Sequence, residues 1–363
     1  MALIWHRLQK LVREELRHLT TIQASDRAWQ MPLAAALATG LPVLIGAYFN
    51  RLDYGLVSSL GGLTFLYLPS TPLHHRMIFL MACAFGMTTC YALGMISHFF
   101  PVAMMPMLVF ISILVTMITR FYRLAPPGSL FFIMAAAIGA YTPVAPLQLP
   151  LMVGLIAMGS ALACLIGFIY SVYMLRTRSP KPVEPLHAPT FDFVVFDSVI
   201  IGACVGISLF VAQALQLEKA YWVPISCLAV IQGASLRAVW NRQVQRILGT
   251  TIGLLLAWAL LTLPLNQWNI PVMMMMLTFI IETTVVRHYA FAAIFITPLT
   301  ILLAEAATLG RHGSAAALVQ ARFFDTLLGC FIGFVGGVCL HSPWFRERVG
   351  RQLRRLIPLR LRS

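Results

Sequence analysis

Tyr221-Trp222-Val-Pro224-Ile-Ser226 opens a short apolar run that ends near Gly233. The chain then continues Arg237-Ala-Val-Trp-Asn-Arg242-Gln-Val-Gln-Arg246-Ile-Leu-Gly249-Thr-Thr-Ile-Gly253. Arg242, Arg246, Gly249 and Gly253 follow one another at helical spacing, so they share one face. A basic entrance then sits above a strip of glycines, where a second helix can approach closely. The expected order is a broken apolar helix, a turn carrying the arginines, and a longer apolar helix.

Composition extends this reading to the whole chain. Of 363 residues, 60% are apolar and 10% charged, against about 25% charged in soluble domains. Mean hydropathy is +0.84. The chain has room for about twelve membrane helices of ~20 residues. The net charge of +14 gathers at segment ends rather than in one basic domain, so nucleic acid is not the expected partner. The cysteines at 83, 90, 164, 204, 227, 330 and 339 all lie in apolar segments without paired spacing. They read as small buried hydrophobes rather than disulfides or metal ligands.

The pattern Tyr221-Trp222-x-x-Ile-Ser226 followed by Arg242-x-x-x-Arg246-x-x-Gly249-Thr250-x-x-Gly253 resembles the fusaric acid resistance (FUSC-type) integral membrane transporter family. Arg287-His-Tyr289-Ala-Phe-Ala-Ala-Ile-Phe-Ile-Thr297-Pro298 and Arg322-Phe-Phe-Asp325-Thr-Leu-Leu-Gly329 are similar to that family's later helices. The resemblance covers residues 195–340 and is weaker before them. It implies export of aromatic or other organic acids, or of related toxic compounds, across an inner membrane. It also implies a more distant kinship with plant aluminium-activated malate transporters, and hence a passive organic or inorganic anion channel as the alternative; a non-transporting membrane scaffold is the third reading. Larger relatives carry a sizeable soluble region between their halves; this chain has a short linker there.

Six apolar segments precede the linker and six follow it. The first set falls near 31–48, 54–69, 77–99, 102–119, 129–143 and 150–175. The second falls near 195–215, 221–236, 244–263, 271–286, 289–308 and 324–341. An offset of 167 carries Tyr54 onto Tyr221, Gly86 onto Gly253, Arg120 onto Arg287 and Tyr122 onto Tyr289. The expected fold is therefore all-α: a polytopic membrane protein of two parallel six-helix repeats related by an axis along the membrane normal. The divisions are 1–30, an N-terminal amphipathic segment; 31–175, the first repeat; 176–193, a proline-rich linker; 194–341, the second repeat; and 342–363, a basic amphipathic tail.

Basic residues orient this arrangement. With twelve spans, 22 of the 26 lysines and arginines fall on one side, and only Arg51, Lys219, Arg311 and Arg322 fall opposite. The positive-inside rule makes that side, with both termini and the linker, cytoplasmic. Residues 1–20 read as a surface helix with its basic side toward lipid headgroups, not as a cleaved leader; a solvated helix is the alternative. In the tail, Trp344, Phe345, Val349, Leu353 and Leu356 would face the acyl boundary while the arginines reach the headgroups.

No catalytic, nucleotide or cofactor motif emerges, so the chain reads as a transporter without a cofactor rather than an enzyme. The path candidates lie on the second helix of each repeat, because paired broken segments mark a transporter's centre. They are Tyr54, Ser58, Ser59 and Tyr67, and Tyr221, Trp222, Ser226 and Gln232. Close packing at the glycines and an aromatic belt explain the same residues without a solute. Arg237, Arg242 and Arg246 could attract anions at the cytoplasmic mouth, although positive-inside anchoring also accounts for them. Glu282, an intramembrane carboxylate, is expected to pair with Arg246 or to carry a coupling proton. Arg322 and Asp325 read as a capping pair at a helix start. The run Met273–Met276 fills core and lipid contacts. Membrane lipids and a small anionic or aromatic solute are the expected partners; a periplasmic adaptor and a homo-oligomer remain open.

Overall fold

A computed structural model of the chain describes residues 24, 27–183, 185, 190, 192–305 and 315–356. The expected surface helix at residues 1–20 lies outside them. Among the described residues all regular structure is helical. In chain order the helices are α1 (Gln30–Tyr48), α2 (Leu52–Gly62), α3 (Leu73–His98), α4 (Pro101–Phe121), α5 (Leu130–Ala140) and α6 (Leu149–Leu175). They continue with α7 (Asp197–Ala214), α8 (Trp222–Ile231), α9 (Leu236–Leu261), α10 (Asn269–Thr284), α11 (Tyr289–Glu305), α12 (Ala315–His341) and α13 (Pro343–Leu356).

Among the described residues, seven stretches are long and apolar enough to cross a bilayer: Gln30–Tyr48, Leu73–His98, Pro101–Phe121, Pro146–Leu175, Phe193–Ala214, Leu236–Leu261 and Leu318–His341. The remaining apolar helices are shorter. A ten- or eleven-residue helix rises only about 15 Å, half the hydrocarbon thickness. Such a helix must end inside protein, where other groups can take up its terminal N–H and C=O groups. α8 does so completely, for all ten of its residues are buried. The long helices do the reverse and turn Phe85, Phe110, Phe168, Leu255 and Phe331 outward. An apolar exterior around a buried interior is the arrangement that lipid demands.

Packing divides the helices into two groups. α2 packs on α1 and α6, and α3 on α5 and α6; α8 packs on α7 and α12, and α9 on α11 and α12. The groups meet along two seams, α4 against α7 and α1 against α10, with smaller contacts of α5 on α8 and α11 on α2. Glycine makes the closest of these approaches. A Cβ at Gly159 would overlap the Ser58 carbonyl, and one at Gly94 would overlap the Ala136 carbonyl.

Each seam carries an ion pair. On the α4–α7 seam, Arg120 Nη1 reaches Asp197 Oδ2 at 2.6 Å, and Arg346 of α13 lies 3.1 Å from Asp197 Oδ1. On the other, Arg27 Nη1 lies 3.0 Å from Glu282 Oε2. α13 therefore differs from the expectation. Trp344 is exposed, but Phe345, Val349 and Leu353 pack on the protein core rather than facing acyl chains. The arginine of this helix that meets Asp197 turns the apolar face inward with it.

The expected arginine-bearing turn is also corrected. Ser235 accepts a hydrogen bond from the Ala238 N–H and starts α9 at Leu236, so Arg237 and Arg242 are already helical. Arg246 then stands ten residues into the helix, about 15 Å along its axis.

Candidate functional site

Three buried charged side chains of the second group of helices, Arg246, Arg322 and Asp325, come together around α8. Arg246 of α9 donates from Nη1 to Tyr289 Oη of α11 at 3.2 Å and from Nη2 to Ser226 Oγ of α8 at 3.3 Å. Arg322 of α12 sits over Trp222, its guanidinium carbon 3.6 Å from the ring centroid. It also donates from Nη2 to Thr300 Oγ1 of α11 at 3.3 Å. Asp325 follows Arg322 by one helical turn and is 1% exposed. A small, partly open cavity of about 20 Å³, room for about one water, is lined by Lys219, Trp222, Ile301, Arg322 and Asp325. It lies toward the first turns of α8 and α12, at the end of the bundle away from α13.

What these groups lack matters as much as what they touch. Arg246 Nε, Arg322 Nε and Nη1, and Asp325 Oδ2 are buried without a hydrogen-bond partner among the described residues. Neither arginine is in ion-pair contact with a described carboxylate. A buried cation held only by hydroxyls and a π-face is under-compensated. The cheapest complement is an anion, which a guanidinium edge can bind in a two-pronged manner. The positions in the first group that the 167 offset assigns to Arg246, Arg322 and Asp325 hold Phe79, Leu155 and Met158, so the charge is one-sided.

The other expected residues are placed as follows. Tyr54 is half-buried beneath the Arg51 guanidinium, 3.5 Å from its ring centroid. The Asp53 carboxylate beside exposed Arg51 raises that arginine's pKa above its ordinary value. Ser58 is half-buried, and Ser59 is buried and donates to the Thr39 carbonyl at 2.7 Å. Tyr67 donates to the Gly128 carbonyl at 2.9 Å, and Gln232 donates to Ser129 Oγ at 2.7 Å. The far ends of the two broken helices therefore converge on one turn, Gly128–Ser129, in a hydrogen-bonded knot. Along their lengths each belongs to its own helical group, and Gly61 and Gly62 serve close contact with α6 and α1. Tyr221 is buried against Tyr141 and Trp222, with ring centroids 5.7 and 5.1 Å apart.

Of the cations, Arg237 is exposed, Arg242 half-buried and Arg246 buried. Arg246 thus lies in the interior rather than at a mouth. Glu282 does not pair with Arg246; its partner is Arg27, 255 residues away in sequence. Depth alone suggested the first pairing, but Glu282 faces the α1 seam while Arg246 turns toward α8 and α11. Arg322 and Asp325 are not a cap: α12 begins at Ala315 and carries both two to three turns inside. Sequence reading missed Arg322, Asp325 and Thr300 as site residues because it started this helix at 324. Two charges three apart at the edge of an apolar run were the available signal.

Comparison with known proteins falls on the same region. Residues 205–336 match the family described as "Fusaric acid resistance protein-like", a stretch that contains Arg246, Arg322 and Asp325. The chain is 22% identical to "Uncharacterized membrane protein YvaC" of Bacillus subtilis (strain 168), over 97% of this chain and 78% of that protein. It is 25% identical to "Uncharacterized protein YhfK" of Escherichia coli (strain K12), over 40% of this chain and 20% of that protein. No solved structure matches. The second half of the chain is thus similar to the fusaric acid resistance-like (FUSC-type) family, and nearly its whole length is similar to a membrane protein.

Proposed function

We propose that the chain is an inner-membrane carrier that exports organic anions, aromatic carboxylates first among them, with both termini cytoplasmic. One observation carries this reading: Arg246 and Arg322 are buried among apolar helices with only neutral described groups in hydrogen-bond or ring contact. A charged side chain at that depth costs about 2.5–3.5 kcal/mol on insertion scales. A protein that keeps two of them without salt-bridge partners among the described residues has a use for their charge. Trp222, Tyr221 and Tyr289 supply flat apolar surface next to the cations, which favours a planar acid over a hydrated inorganic ion. In this reading the two helical groups are six-helix repeats. Their support is the reciprocal packing, in which α4 on α7 answers α10 on α1, and α5 on α8 answers α11 on α2.

The test is flux of a labelled aromatic carboxylate in proteoliposomes containing the full chain. Arg246→Gln and Arg322→Gln are each expected to lower the initial rate at least tenfold, while the protein still elutes as a single species. A current that follows voltage alone would assign a passive channel instead. Equal flux in protein-free liposomes would end the transport reading.

A further inference from the structure

The anion reading leaves one buried group without a role. Asp325 is in the pocket wall with Arg322, is 1% exposed, and has Oδ2 unpartnered among the described residues. A carboxylate buried for structure alone would be expected to close on the guanidinium one turn away, yet no ion-pair contact forms. Its surroundings are mixed. α12 itself presents Arg322 and Cys330, α9 presents Arg246, and α11 presents Thr300 and Tyr289. α8 presents Trp222, with Tyr221 and Lys219 just ahead of it. α7, also packed on α12, has Asp197 as its sole charged residue, at its first position and the opposite end of the bundle.

Resting on the proposal that Arg246 and Arg322 bind an anion, we propose that Asp325 couples that anion to a proton. Ionised, Asp325 occupies the field of Arg322 and repels a second negative charge from the same pocket. Protonated, it leaves both guanidinium groups to the incoming anion. The proton comes from water at the open side of the pocket and forms a single O–H bond on Asp325. It leaves when the anion leaves, so anion and proton cross together, a monovalent anion moves without net charge, and export runs down the anion's own gradient rather than on the inward proton gradient. Proton binding and anion binding must then strengthen each other by the same factor. Glu282 is not suited to this role, because its carboxylate is taken by Arg27 on another seam.

The experiment uses the full chain in proteoliposomes and radiolabelled benzenesulfonate, which stays ionised so that no neutral acid leaks across. Equilibrium exchange at equal pH reports anion binding and passage; net uptake with a pH step reports coupling. Making the labelled side one unit more acidic should speed wild-type uptake by up to about tenfold, the limit for one proton per anion. In Asp325→Asn the ratio of rates with and without the step should fall to about one, and Asp325→Glu should restore the response. Calorimetry of benzenesulfonate binding to the detergent-solubilised wild type, in buffers of different ionisation enthalpy, should show about one proton taken up per anion. That measurement decides the matter even if Asp325→Asn does not fold. Wild-type exchange without a pH response or proton uptake overturns the role of Asp325 and leaves the anion site standing. So does an Asp325→Asn variant that keeps the full response. A wild type that neither binds nor exchanges benzenesulfonate overturns the anion site itself.

Discussion

Replacing Asp197 with asparagine should destabilise the protein by about 3 kcal/mol. Asp197 is the meeting point of α4, α7 and α13, and its side chain is 7% exposed. Two arginines converge on it, and they are not equivalent. Arg120 is 18% exposed and Arg346 31%. Removing one member of a buried pair costs about 3–5 kcal/mol, because the other charge is left uncompensated. The Arg120 pair belongs near the lower end of that range, since Arg120 also stacks over Phe193 and keeps access to solvent at the helix end. The Arg346 pair is nearly a third exposed and adds at most about 1 kcal/mol. Asp197→Asn therefore loses most of its energy through Arg120. Neutralising that arginine as well, in Asp197→Asn/Arg120→Gln, should recover at least about 2 kcal/mol as a coupling energy. The assay is reversible unfolding in mixed micelles with increasing dodecyl sulfate, run on wild type, both single variants and the double. A coupling energy below about 0.5 kcal/mol would show that Asp197 does not hold Arg120, and the account of the α4–α7 seam would fall with it.

Three further outcomes are expected. Glu282→Gln and Arg27→Gln should couple by about 1 kcal/mol, a value reduced by the partial exposure of Arg27, whereas Glu282→Gln and Arg246→Ala should simply add; strong coupling in the second cycle would restore the pairing that depth alone suggests. Gly159→Ala should cost about 1–3 kcal/mol by forcing α6 off the Ser58 carbonyl. Gly154→Ala, with open space around it, should be neutral or stabilise by a few tenths to about 1 kcal/mol; equal effects in the same unfolding assay would contradict the close contact of α2 and α6. Trp222→Ala should lower aromatic-anion exchange about tenfold, by releasing an Arg322 contact worth about 0.5–2 kcal/mol, and Trp222→Phe should lie between the two; an exchange rate unchanged in Trp222→Ala would remove the ring from the site.

The sequence by itself determined that this is a helical membrane protein. It also determined, to within a few residues, where most apolar helices run, because hydropathy and helical period record how a segment meets water or lipid. Arg237, Arg242 and Arg246 were legible as cations near one helix. Their fates were not, because Ser235 starts α9 early and carries Arg246 into the interior while Arg237 stays exposed. Partner choice was beyond reach for the same reason throughout. Lipid tails are as apolar as a protein core, so an apolar pattern does not say which face meets a neighbour and which meets lipid. Only tertiary packing decided that Glu282 meets Arg27 across the chain, that α8 is sheathed on every side, and that Arg322 and Asp325 stand inside the bundle with Arg246 rather than at its edge.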